Sequence, residues 1–209
     1  MTYLFSRVGN FLKKLFRHRR NIKLGLYGPP NGGKTTLANR ICKDWTGEEL
    51  GIVSNIAHET REIQIKEQIT IQYEGKELTV SLADTPGIAT KIDYEDFLRF
   101  GIKAKDAKQR AKEATKGIIE SIKWLDHMDA VIVVLDSTQD PYNQVNLTLI
   151  GNLEARKIPM LLIANKIDLK RSKLRKLQTA FPQYNIVGIS AKSGKNMDLF
   201  YKNLFEVAA

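Results

Sequence analysis

Gly28-Pro29-Pro30-Asn31-Gly32-Gly33-Lys34-Thr35 is the stretch whose reading decides the fold. It fits G-x-x-x-x-G-K-[ST], and its flanks pass the context test the pattern needs. Ile22-Lys23-Leu24-Gly25-Leu26-Tyr27 ahead of it reads as a strand, and Lys34 to roughly Lys43 reads as a helix behind it. Glycines let the main chain wrap phosphate, so that successive N–H groups and the helix N-terminus face the negative charge. In such a loop Lys34 reaches the β- and γ-phosphates, the Thr35 hydroxyl ligates Mg²⁺, and Thr36 extends the contact set into the first helical turn. The alternative, a plain strand-to-helix turn, leaves this combination of residues unexplained.

Working outward, Asp84-Thr85-Pro86-Gly87 follows the strand-like Leu78-Thr79-Val80-Ser81-Leu82. That is where ligands bind in open α/β sheets. Asp84 is read as holding Mg²⁺ through water and the Gly87 N–H as sensing the terminal phosphate; alone, the tetrapeptide is equally an Asp-capped turn. Asn165-Lys166-Ile167-Asp168 closes the apolar run Pro159-Met160-Leu161-Leu162-Ile163-Ala164. An aspartate there accepts two hydrogen bonds from guanine N1–H and its exocyclic amine. Adenine offers no matching pair of donors, and an unpaired buried carboxylate is costly, so the base choice is steep. The Lys166 stem can lie along the ring face. Ser190-Ala191-Lys192 follows a last strand, Ile186–Ile189, where its backbone can contact the guanine oxygen.

The remaining chain is organised around these signatures. Residues 46–61 form a long polar connection. Ile63–Ile65 and Ile69–Tyr73 alternate with period two, Glu74-Gly75-Lys76 supplies a turn, and residues 78–82 return. Residues 93–125 read as helical and lysine-rich. Ala130–Leu135 and Pro159–Ala164 are continuous apolar runs, as parallel strands covered on both faces require, and a C-terminal helix spans about Asn196–Val207. The expected fold is α/β, a doubly wound, mostly parallel six-stranded sheet flanked by helices, with residues 1–20 as an N-terminal amphipathic helix and 21–209 as the binding domain.

The 209 residues suffice for one domain with a substantial core. The single cysteine, Cys42, excludes an internal disulfide and points to a reducing, cytoplasmic setting; beside Leu37, Ala38 and Ile41 it reads as a buried thiol. Of the formal charge of +10, seven cations (Arg7, Lys13, Lys14, Arg17, Arg19, Arg20, Lys23) lie in residues 1–23 without an acid, leaving +3 elsewhere. The charge is therefore local and does not make the whole domain a nucleic-acid binder. No apolar run approaches the roughly 20 residues of a membrane span, and the interleaved charges do not make a signal peptide. His58 and His127 show no metal-ligand spacing, so no zinc is assigned.

The complete set, G-x-x-x-x-G-K-T, D-T-P-G, N-K-I-D and S-A-K, resembles the translation-factor class of small P-loop GTPases. Gly-Pro-Pro-Asn-Gly-Gly-Lys-Thr with Asp-Thr-Pro-Gly looks most like its Era-like branch, over roughly residues 22–207. The resemblance implies binding of GTP and GDP with Mg²⁺, slow hydrolysis, and two switch segments that respond to the γ-phosphate. Carried over, His58-Glu59-Thr60-Arg61 resembles switch I and makes Thr60 the second Mg²⁺ ligand, with Ser54 and Thr46 as competitors. Lys34, Thr60 and Gly87 become the catalytic set. Asn31 matches an asparagine that helps hold K⁺ in potassium-stimulated relatives. Two departures qualify this. Ile88 stands where Ras-like proteins keep a water-orienting glutamine, so hydrolysis is expected to depend on a cation, a partner or dimerisation, with a GTP-binding module of negligible hydrolysis as a further alternative. Era proper continues into a C-terminal RNA-binding KH domain; this sequence stops after the last GTPase helix, so such a domain, and with it an rRNA role, is not expected to carry over.

Residues 3–17 place Leu4, Phe5, Val8, Phe11, Leu12, Leu15 and Phe16 within an arc of about 140° at 100° per residue, opposite a purely basic face. Three readings follow: the helix lies on an anionic membrane, at the inner face of the cell membrane; it packs on its own domain; or it docks into a partner protein. The first is preferred. Residues 101–116 read as a solvated charged helix, with an RNA, ribosomal or acidic-partner surface as the lesser alternative, since no aromatic residues interleave the charges.

Overall fold

The computed structural model describes residues 21–50, 62–88, 95, 98 and 103–208. The order is β1 (Ile22–Tyr27), α1 (Lys34–Thr46), β2 (Gln64–Tyr73), β3 (Lys76–Asp84), α2 (Ala104–Trp124) with a 3₁₀ turn at Leu125–His127, β4 (Ala130–Asp136), α3 (Gln144–Ala155), β5 (Met160–Asn165), α4 (Leu174–Ala180), β6 (Ile186–Gly188) and α5 (Met197–Ala208). The strands form one sheet ordered β2-β3-β1-β4-β5-β6. Only β2 and β3 pair antiparallel; the other pairs are parallel. The expected doubly wound, mostly parallel six-stranded sheet is the observed one. The N-terminal helix expected over residues 1–20 lies outside the described residues.

β4 and β5 are buried along their whole length because helices cover both faces. On one face α1 contributes Leu37, Ala38, Ile41 and Cys42, and α5 contributes Phe200, Tyr201, Leu204 and Phe205. On the other, Leu125, Leu149, Ile150, Leu153, Leu177 and Phe181 cover Val131, Val133 and Leu162. Cys42 is free and buried, as its helical position implied.

Several boundaries moved for local reasons. Helix α1 runs past Lys43 to Thr46, where Gly47 in the left-handed region (φ 76°) returns its N–H to Lys43 O. The two alternating stretches before the hairpin are one strand, β2, interrupted by a bulge between Lys66 and Ile69, with Gln68 at φ 56°. The lysine-rich helix α2 begins at Ala104 in the described residues. Helices α3 and α4 were not delimited by periodicity. In α3 the apolar residues are not confined to one stripe, and Leu147 faces solvent. Its legible signal was the cap: Asn143 Oδ1 accepts from Asn146 N at 2.9 Å.

The register brings the signatures to one end of the sheet. Leu26 pairs with Asp84, Tyr27 with Val133, and Asp136 with Asn165. The loops that follow β1, β3, β4 and β5 therefore open side by side at the strands' carboxyl edge.

Candidate nucleotide site

The phosphate half is built from charges and amides that the protein itself leaves underemployed. Helix α1 starts at Gly33, which offers no side-chain cap, so its first-turn N–H groups are available to an anion. Gly33 has φ 94°, and a Cβ there would stand 2.2 Å from Asn165 Nδ2, so only glycine fits. Lys34 is buried, and its Nζ donates to Pro29 O at 3.0 Å and Gly28 O at 3.3 Å. Burial, opposed by Asp84 and reinforced by Lys166, brings its pKa down to about 8.

Asp84 is fully buried. Its Oδ2 accepts from Thr35 Oγ1 at 2.6 Å, and Oδ1 has no hydrogen-bond partner among the described residues. Burial raises its pKa against the opposing effects of Thr35 and Lys34. A buried carboxylate oxygen without a partner, beside a hydroxyl oxygen, is the kind of oxygen donor pair a hard divalent cation takes, so Thr35 and Asp84 fit Mg²⁺.

Gly87 lies on the phosphate loop: a Cβ would come within 2.7 Å of Pro30 Cα and 3.2 Å of Lys34 Nζ. Ile88 N donates to Gly28 O at 3.0 Å, and its side chain is buried in the hydrophobic cluster that also holds Tyr27 and Leu125. The residue read as a missing water-positioner is thus also the apolar anchor that pins the Asp84–Gly87 turn over the loop.

The base half is internally paired. Asn165 is buried. Its Nδ2 donates to Gly32 O at 3.0 Å, while its Oδ1 accepts from Lys166 N at 2.8 Å and Ala191 N at 3.0 Å. One side chain thus ties three signatures together. Lys166 has φ 68°, and its Nζ donates to Asp136 Oδ2 at 2.7 Å. Asp168, the residue read as choosing guanine, is exposed just beyond β5. Ser190 Oγ accepts from Ser193 N at 3.2 Å. Lys192 is exposed, with its carbonyl accepting from Arg40 Nη2 at 3.1 Å, while Arg40 Nε donates to Ala191 O at 3.2 Å.

Sequence reasoning missed Arg40 and Asp136. Arg40 lies on α1, far from the Ala191 loop in sequence, and only the fold brings the two together. Asp136 ends an apolar run, and that position was the available clue.

Between the phosphate loop and the start of α3 lies a cavity of about 660 Å³ whose walls include Pro29, Pro30, Asn31, Asp136, Lys166 and Arg171. Asn31 is exposed there at φ 56°. Thr60 and its competitor Ser54 lie outside the described residues. Thr46, the other competitor, ends α1 with its hydroxyl bonded to Cys42 O. At 1.5 Å per residue it stands about 16 Å along the helix from Thr35, which removes it as a shared ligand.

A P-loop, a buried Mg²⁺-type acid on the neighbouring strand and an N-K-x-D turn two strands away define a guanine-nucleotide-binding domain of the P-loop GTPase class. The family model described as "50S ribosome-binding GTPase" matches residues 23–166, and the chain belongs to this family of GTPases. It is 31% identical over 191 residues to the tRNA modification GTPase MnmE of Baumannia cicadellinicola, covering 90% of this chain and 36% of that protein. It is 31% identical over 185 residues to GTPase Era of Rickettsia akari, covering 87% and 54%. The chain therefore spans about a third to a half of these relatives' length. Among solved structures, Era of Aquifex aeolicus bound to GDP.AlF4− superimposes with a TM-score of 0.68 at 21% identity, over 90% of this chain and 57% of that one. Era in complex with MgGDPNP and a segment of 16S ribosomal RNA gives the same TM-score at 20% identity, over 91% and 57%. These two establish the fold.

Proposed function

We propose that this chain is a GTP-driven switch that binds GTP and GDP with Mg²⁺, hydrolyses GTP slowly, and works at the cytoplasmic face of a membrane through residues 3–17. The observation that carries the nucleotide reading is the convergence of Lys34, Thr35, Asp84 and Asn165 at one edge of the sheet. In the proposed mechanism Lys34 and the α1 N-terminus neutralise the β- and γ-phosphates. Thr35, Asp84 and Thr60 would hold Mg²⁺, which would supply charge neutralisation for the phosphates. Gly87 N–H senses the terminal phosphate and transmits its loss to the segment beyond Ile88. Asp168 and the Ala191 amide read the guanine edge. Because Ile88 is a buried anchor, position 88 supplies no side chain to orient the attacking water. Acceleration is assigned to K⁺ held by Asn31, to a protein partner, or to a second copy of the chain.

The membrane reading rests on the segregated faces of residues 3–17. Seven buried apolar side chains supply on the order of 10 kcal/mol gross, offset by helix ordering, so the attachment is reversible. A ribosome- or RNA-associated role is the second reading, motivated by the family description and by the lysines that α2 turns to solvent (Lys105, Lys108, Lys112, Lys116).

Flotation with anionic liposomes, using full-length protein and a version lacking residues 1–20 loaded with GDP or GDPNP, tests the first against ribosome co-sedimentation. Full-length protein that stays off liposomes in both nucleotide states ends the membrane reading. Phosphate release compared in KCl and NaCl tests the role of Asn31; equal rates in both salts exclude it. Asp168→Asn is expected to lose the preference for GTP over XTP, and retained guanine selectivity refutes the role given to Asp168.

A further inference from the structure

Asp136 belongs to none of the nucleotide signatures, yet the register of β4 and β5 sets it directly beside Asn165. Both of its carboxylate oxygens are used. Oδ2 accepts from Lys166 Nζ at 2.7 Å, and Oδ1 accepts from Thr138 N at 2.9 Å and Thr138 Oγ1 at 2.7 Å. The side chain of Asp136 is 9% exposed and that of Lys166 28%. Burial raises the Asp136 pKa, but the Lys166 and Thr138 hydrogen bonds outweigh it and hold the carboxyl below the usual carboxylate range.

Lys166 is thus held at both ends. Its backbone, in the left-handed region that costs a non-glycine residue, is bonded through its N–H to Asn165 Oδ1, and its ammonium is bonded to Asp136. A partly exposed lysine ordinarily samples many rotamers, and a surface ion pair alone contributes little. A stem fixed at both ends is a flat, apolar rail of four methylenes, and a purine ring is the ligand such a rail suits.

We propose that Asp136 is a positioning residue of the guanine site, acting through Lys166 to hold its aliphatic stem in line for the base before nucleotide arrives. The inference rests on the guanine-site reading above. Without the carboxylate, binding must immobilise a free lysine side chain. That lowers affinity by about threefold to tenfold, the scale of ordering one rotamer-rich group. The loss falls mainly on the dissociation rate.

The test is a double-mutant cycle on the full chain, with the GDP dissociation constant and off-rate read from a fluorescent GDP analogue. Asp136→Asn keeps the shape and turns an amide toward the ammonium; it is expected to weaken GDP binding about threefold to tenfold. In a Lys166→Ala background the same change is expected to cost nothing further. Equal losses with and without Lys166, or GDP binding by Asp136→Asn that matches wild type, overturns the inference and leaves the guanine-site reading intact. Wild-type protein that binds no GDP overturns both. If Asp136→Asn does not fold, Lys166→Met decides: it keeps a stem without the ammonium and is expected to lose the same factor, whereas wild-type affinity in that variant overturns the proposal.

Discussion

The two halves of the candidate site are built on opposite principles. On the phosphate side, Lys34 is buried against main-chain carbonyls, Asp84 Oδ1 has no partner among the described residues, and α1 begins without a side-chain cap. On the base side, Asn165 makes three hydrogen bonds, Asp136 uses both oxygens, and Arg40 fixes the Ala191–Lys192 carbonyls. The first half is electrostatically incomplete alone, and in the proposed function an anion with its cation completes it. The second is complete before the base arrives. The contrast shows where binding free energy comes from: on one side from relieving buried charge, on the other from a shape already ordered.

This comparison can be broken by substitutions whose effects on binding and on stability take different signs. The largest effect belongs to Lys34→Met. It should abolish GTP binding, with at least a thousandfold loss, yet raise the melting temperature of the nucleotide-free protein. The sign follows from the shift: a lysine lowered from 10.5 to about 8 is still charged at neutral pH, and burying that charge costs up to about 3 kcal/mol. Calorimetry at pH 7 checks it, and a lower melting temperature removes the contrast.

Next comes Asn165→Ala, which strips partners from the Gly32 carbonyl and from the Lys166 and Ala191 amides. It should lower stability by about 2–4 kcal/mol as well as weaken nucleotide binding, since buried groups lose their partners. Denaturant unfolding distinguishes this joint loss from the opposed signs at Lys34.

Ile88→Gln sharpens the comparison. Because the side chain at this position is buried, we expect a loss of about 2 kcal/mol in stability and no gain in phosphate release; faster hydrolysis would show that position 88 reaches the attacking water. The smallest effect is Arg40→Ala, expected to speed GDP release severalfold with about 1 kcal/mol lost in stability, measured by stopped-flow release. An unchanged off-rate would mean that the Ala191 loop holds its shape without it.

How much of this was legible in the chain depends on whether a group's role is local or crosses the sheet. Gly28–Thr35, Asp84–Gly87 and Asn165–Asp168 were legible because phosphate wrapping, metal binding and base reading each need particular residues at short fixed spacing after a strand. Strands β4 and β5 were legible because buried parallel strands carry unbroken apolar runs, and β2 and β3 because their alternation has period two. Helix α3 was not delimited, because its apolar residues do not repeat on one face, and the β2 bulge at Gln68 was missed because period-two alternation does not reveal an inserted residue. Asp136 and Arg40 went unread for a different reason: their partners, Lys166 and the Ala191 loop, lie 30 residues or more away in the chain.

The sequence alone determined the class of fold, the ligand chemistry and the set of loops that meet it, since these follow from local spacing and from the apolar pattern of the strands. Only the tertiary structure decided that Ile88 is a core anchor as well as an absent glutamine, that Thr46 stands at the far end of α1, and that Asp136 holds Lys166. Each of those depends on which strand lies beside which, and on how closely their ends approach. That is a property of sheet register and packing, which the residue order specifies collectively and no short stretch specifies alone.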